Sequence, residues 1–96
     1  MQFRGEHKFD ITHGTVIFIG YEAGKRIVNY ISEEALQDFF GAAEGEGADW
    51  LVDAFRRNQA AIEELAQVAI TAGQINETGG ANITSDWLQR RGYHQI

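Results

Sequence analysis

Residues 49–72, DWLVDAFRRNQAAIEELAQVAITA, predict a single long amphipathic helix. At 100° per residue, Leu51, Phe55, Ile62, Leu65, Ala66 and Ala69 share one stripe, with Ala54 at its edge. Asp53, Arg56, Glu63, Glu64 and Gln67 fall on the other side. At 1.5 Å rise per residue such a helix spans roughly 36 Å, the width of a small domain. Its apolar side must lie on something, and the rest of the chain reads as that support. Asp49 supplies the first-turn anion, and Gly73 is the expected stop. One residue interrupts the pattern. Asn58 sits near the centre of the apolar stripe, where an amide needs a partner or costs roughly 1–3 kcal/mol. A carbonyl of a loop or helix end is the ordinary partner. A register-setting contact across a homodimer is the sharper reading, and a ligand-binding amide is a third.

Working towards the N-terminus, residues 33–40 predict a short helix. Ser32 is its N-cap, Glu33 and Glu34 favour the positive end of the dipole, and Ala35, Leu36, Phe39 and Phe40 form its apolar face. Gly41 ends it. Before it, residues 15–31 carry the strongest β signal, as two runs rich in branched and aromatic side chains. The runs flank Glu22-Ala23-Gly24-Lys25, read as a type I turn with Gly24 left-handed and a bulge. Val16 and Phe18 point one way, and Ile17, Ile19 and Tyr21 the other. Both faces of the hairpin are therefore apolar. One fits the helix, the other a further element or a partner chain. Gly20 in mid-strand suggests a bulge or a close backbone approach. Residues 1–8 show no period and read as irregular, and Phe9 to Thr12 as a short strand or extended arm.

Beyond the long helix, residues 74–76 and 81–84 are short extended candidates around a Gly79-Gly80 turn. Thr84 or Ser85 caps a last short helix holding Trp87 and Leu88. The expected architecture is α+β, one domain over residues 1–88. A small antiparallel sheet (the 15–31 hairpin plus short strands) packs against the long 49–72 helix and the short 33–40 helix. Residues 89–96 form a polar, mobile C-terminal tail.

Composition narrows the function classes. Ninety-six residues make one domain. Cysteine is absent, so neither a disulfide nor a thiolate metal site forms, and proline is absent too. No apolar run exceeds the four residues Val16 to Ile19, which argues against a signal peptide or membrane span and favours a cytoplasmic protein. The net charge of −6 is uneven. Residues 1–31 carry four Lys/Arg against three Asp/Glu, whereas residues 32–96 carry four against eleven. That balance opposes anionic membranes and non-specific nucleic-acid binding.

The order of Gly24-Lys25-Arg26-Ile27, Tyr30-Ile31-Ser32-Glu33-Glu34-Ala35-Leu36, Ala54-Phe55-Arg56-Arg57-Asn58, Ile62-Glu63, Ala72-Gly73-Gln74 and Leu88 after Ile83-Thr84-Ser85 is similar to small bacterial proteins of the family catalogued as domain of unknown function 1488. The resemblance covers about residues 14–88. It implies no active site, so no functional residue transfers.

The residues themselves supply no catalytic constellation, and no enzyme, cofactor or metal site is expected. His7, His13 and His94 lack ligand spacing. Glu44, Glu46 and Asp49 fail the calcium-loop template. Glu63 and Glu64 diverge by 100° on the helix and cannot act as an acid–base pair. No glycine-rich phosphate loop follows a strand. The expected role is instead a non-catalytic interaction or regulatory module, with a homodimer as one form. Asn58, Tyr21, Trp50 and Trp87 are the interaction candidates, since aromatics anchor interfaces. Weak nucleic-acid binding through Arg56, Arg57, Arg90 and Arg91 is the alternative, assisted by Lys25 and Arg26, and a small-molecule-binding or enzymatic domain without a motif is a second one. The partner is an unknown protein or a second copy.

Overall fold

A computed structural model describes residues 1–42 and 48–93. The calcium reading therefore lies outside the described residues except for Asp49, as does His94. The elements are β1 (Gln2–Asp10), β2 (Thr15–Glu22), β3 (Lys25–Ser32), α1 (Glu33–Phe39), α2 (Ala48–Arg57), α3 (Gln59–Thr71), β4 (Asn82–Ile83) and α4 (Ser85–Arg90). The strands form one sheet in the order β1-β2-β3-β4. The helices lie on one side of it. Between them sit Val16, Phe18 and Ile31 from the sheet, Leu36 and Phe40 from the α1 region, Leu51 and Phe55 from α2, and Ile62 and Leu65 from α3. The α+β architecture is the expected one. Leu51, Phe55, Ile62 and Leu65 are all buried, as the amphipathic pattern requires.

Four local readings are corrected. First, the 49–72 helix is two helices meeting at Asn58, whose backbone leaves helical geometry at φ −121°, ψ 20°. The cause is the side chain. Its Nδ2 donates to the Ala54 carbonyl at 2.8 Å, the acceptor that the Asn58 backbone N–H would use in an unbroken helix. That N–H turns to Phe55 O instead, at 3.1 Å. Nδ2 also donates to Phe40 O at the end of α1, at 3.1 Å. The break thus ties α1 to the α2–α3 corner.

Second, residues 1–8 are not irregular. They belong to β1, which pairs antiparallel with β2. Phe3, His7 and Phe9 stand opposite Gly20, Phe18 and Val16, while Lys8 and Asp10 stand opposite Ile17 and Thr15. The alternation is real, but its inward members include a histidine and are interrupted by a bulge between Phe3 and His7, where Gly5 takes φ +83°. The bulge and the charged side chains also blunt β1 as an edge strand.

Third, Glu22 pairs directly with Lys25, so the hairpin loop is the two residues Ala23 and Gly24, with φ of 51° and 78°. Two positive φ values mark the primed turn that matches strand twist, and Ala23 accepts the steric cost.

Fourth, the sheet is mixed. β4 runs parallel to β3, pairing Tyr30 with Asn82 and Ile31 with Ile83. The chain leaves β3, builds three helices and returns in the same direction, as a parallel pair demands. The 74–84 hairpin is reduced to one antiparallel bridge, Ile75 to Ala81.

The caps match their sequence signals. Ser32 Oγ accepts from Ala35 N at 3.0 Å, and Thr84 Oγ1 from Trp87 N at 3.1 Å. Gly73, at φ +79°, follows α3. Past α4, the Tyr93 ring lies 5.7 Å from Phe40 and 5.9 Å from Phe39, so the chain there packs on the core.

Candidate interaction surfaces

Packing all helices on one side leaves the other side of the sheet without a covering layer among the described residues. Strand alternation decides what that open face carries. β1 contributes Arg4, Glu6, Lys8 and Asp10, β2 contributes Ile17, Ile19 and Tyr21, and β3 contributes Arg26, Val28 and Tyr30. Ile19 is only 7% exposed and Tyr30 8%, although no helix covers them. Lys8 and Arg26 flank Ile19, with stems on the apolar stripe and heads in water, whereas the His13 ring and Glu77 lie against Tyr30. A shallow depression of about 240 Å³ opens among Glu6, His7, Lys8, Ile17, Ile19 and Arg26. Pockets that hold drug-sized ligands run from about 300 to 1,000 Å³, so this one suits a single side chain.

The carboxylates of this face are engaged. Tyr21 Oη donates to Glu6 at 2.5 Å, and that bond raises the tyrosine's pKa. Arg4 stacks over the same ring at 4.0 Å. On the helical side of the sheet, Glu22 pairs with the N-terminal ammonium at 3.5 Å, beside Gln67 and Thr71 of α3. At the rim, Asp10 holds His13 Nδ1 at 2.5 Å, His13 Nε2 lies 3.7 Å from Glu77, and Tyr30 Oη donates to Glu77 at 2.7 Å. The His13 and Tyr30 rings lie 5.3 Å apart. The His13 bond lowers the Asp10 pKa, and the Tyr30 hydroxyl lowers that of Glu77. The same bond to Glu77 raises the Tyr30 pKa.

These directions set a pH profile. Carboxylates with lowered pKa contribute stability above the usual carboxylate range and lose it as pH falls through their folded pKa. A tyrosine with raised pKa contributes below about pH 10 and loses it as pH rises through its folded pKa. The urea midpoint should fall below about pH 4 and above about pH 10. Tyr30→Phe should shrink both limbs, because it removes the bond common to Glu77 and Tyr30. Unchanged limbs would show that this cluster does not govern the profile.

The four interaction candidates go to different places. Tyr21 stands on the open face. Trp50 is 49% exposed on α2, beside Asp49 and Asp53. Trp87 is buried in α4, with the Arg91 guanidinium 4.9 Å over its ring. Asn58 is inside the helix corner. The structure therefore does not gather them into one surface. The arginines of the nucleic-acid alternative are engaged: Arg57 with Asp53 at 2.9 Å, Arg90 with Asp86 at 3.0 Å, Arg91 with Trp87, and Arg56 donating to His7 Nε2 at 3.0 Å. Among the described residues no group of three or more His, Cys, Asp or Glu could hold a metal, and no helix is long and apolar enough to cross a membrane.

A second surface escapes the aromatic signal. Residues 65–76 are the longest stretch of the chain without an ionisable side chain. Val68 is 39% exposed beside Gln67, Thr71 and Ala72, and Ile75, past the end of α3, is 49% exposed. Absence of charge, rather than presence of an aromatic, was the available signal. The open-face cations were legible only once β1 was recognised as a strand.

Two comparisons place the chain among known proteins. No curated protein matches it. A crystal structure of a protein of unknown function of the DUF1488 family from Shewanella loihica PV-4 superposes with a TM-score of 0.75 at 20% identity, covering 85% of this chain and 89% of that one. That likeness concerns the fold. The family described as "Protein of unknown function (DUF1488)" matches residues 1–81, a span that takes in the whole β-meander, α1, α2 and α3. The chain belongs to the DUF1488 family.

Proposed function

We propose that this protein is a non-catalytic, cytoplasmic interaction module that works as a homodimer. The observation that carries this reading is the uncharged C-terminal half of α3's outer side, beyond Glu64. In a chain of net charge −6, two copies meet most cheaply where carboxylates are fewest, and here only Glu22 and Glu64 stand at the margin. Val68, Thr71, Ala72 and Ile75 offer such a place, and depletion of charge marks the centres of interfaces. The non-catalytic part is supported by the polar cluster that comes nearest to catalytic geometry. Asp10, His13, Glu77 and Tyr30 satisfy one another on an open face instead of converging on a hollow.

Light scattering after size exclusion tests the dimer. The native chain should elute at twice its monomer mass. Thr71→Glu or Ala72→Glu, both at exposed positions, should weaken association at least tenfold by setting like charges across the contact. A clean monomer at millimolar concentration would overturn the reading.

A further inference from the structure

We infer that the open sheet face is a second docking surface, and that it receives an acidic polypeptide segment carrying one apolar anchor side chain. The inference starts from hydrogen-bond donors without acceptors. The side chains of Lys8 and Arg26 make no hydrogen bond or ion pair among the described residues, while Glu6, Asp10 and Glu77 are each bonded to a tyrosine or a histidine. Arg4, Lys8 and Arg26 balance Glu6, Asp10 and Glu77 in number, but Lys8 and Arg26 have no direct acceptor, and a partner's carboxylates are acceptors that match them. Lys8 and Arg26 come from the strands on either side of β2, with Ile17 and Ile19 as the floor between. A carboxylate on each side of one buried apolar side chain fits this spacing. The depression holds about 240 Å³, room for that anchor and little more. The acidic helical layer repels a long polyanion, so a short acidic segment suits the patch better than a nucleic acid. This surface lies on the uncovered side of the sheet and stands whether or not two copies join through α3.

The test uses the full chain and a fluorescein-labelled peptide with a central leucine between paired glutamates and aspartates, read by fluorescence anisotropy. Binding to the native protein is expected at low salt, and it should weaken as salt rises. Lys8→Glu combined with Arg26→Glu should weaken it at least tenfold. The same pair changed to glutamine should fall between, with circular dichroism confirming an unchanged fold. Arg90→Glu, exposed on α4 and paired only with Asp86, should bind as the native chain does. Equal binding to the double charge reversal, no binding to the native protein, or equal binding of a peptide with lysines in place of the acids would each overturn the inference. Tighter binding of a short single-stranded oligonucleotide would overturn the assignment to a protein partner. Light scattering of the same samples reads self-association separately, so failure of one surface is distinguishable from failure of the other.

Discussion

Phe55→Ala is expected to bring the protein to the edge of unfolding. Phe55 is fully buried on α2, with its ring 5.2 Å from Phe18 of the sheet and 4.9 Å from His7. It is where the helical layer meets the middle of the meander. Truncating a buried phenylalanine costs about 3–5 kcal/mol, partly lost transfer energy and partly the cavity left behind. The site cannot collapse easily, because its floor is a sheet held by hydrogen bonds and its roof is a helix pinned by Asn58. Small domains hold only about 5–15 kcal/mol in total. Urea titration followed by circular dichroism should show the midpoint falling by a third or more. Phe55→Leu, which keeps most of the volume, should recover more than half of the loss. A shift below about 1 kcal/mol in the alanine variant would mean that this layer contact is not central to the fold.

The second large effect comes from the smallest residue. A Cβ placed on Gly80 would fall inside the van der Waals envelope of the Val28 carbonyl oxygen and close to its carbon. Both atoms are backbone of a paired strand, so neither can swing aside. Gly80→Ala must push residues 80–83 away from β3. That strains the bond from Tyr30 N to Ala81 O at 2.8 Å and the one from Ala81 N to Asn29 Oδ1 at 2.9 Å. Asn29 is fully buried and also donates to Phe18 O at 3.2 Å, so its carbonyl would be left unsatisfied. Overpacking typically costs about 1–3 kcal/mol, and an orphaned buried polar group about 1–3 kcal/mol more. The expected signature is regional. Amide exchange should speed up at Tyr30, Ala81 and Ile83 more than in the β1–β2 ladder. Gly79→Ala, where nothing lies within 4 Å of the added carbon, should be milder and limited to the strain of its φ of +90°. Equal effects at the two glycines would refute the close-approach argument.

What could be read in the sequence follows from how local each cause is. The hairpin, the Ser32 and Thr84 caps and the Gly41 and Gly73 stops depend on a few neighbouring residues. The apolar stripe of 49–72 correctly named the buried residues and singled out Asn58, yet the pattern did not show that its amide takes the Ala54 carbonyl from the backbone while also bonding Phe40. β1 was hidden by a bulge and an inward histidine. The extended segment 81–84 was legible, but its parallel pairing with β3 was not, because that depends on Asn29, more than fifty residues earlier. The interaction candidates were chosen as aromatics. Trp87 shows the limit of that choice, since its ring was needed in the core. Free donors on a strand face become visible only when every carboxylate nearby has been assigned a partner.

The parallel pairing of β3 with β4 makes everything between them one large ring in the chain. Tyr30 and Ala81 are its two ends, about fifty residues apart. Drawing such ends together costs roughly 3.5 kcal/mol of closure entropy, by the logarithmic dependence on ring size. Two residues of strand could not offset that alone. The junction accordingly uses side chains as well as main chain: Asn29 to Ala81, Asn76 to Val28 at 3.0 Å and Thr78 to Val28 at 3.3 Å, beside the Tyr30–Ala81 bond. At about 0.5–1.5 kcal/mol each, these four bonds together match the closure cost. The asparagines and the glycine at this seam are therefore a clasp, and the helical layer is held to the sheet at its far end by amides as well as by apolar packing.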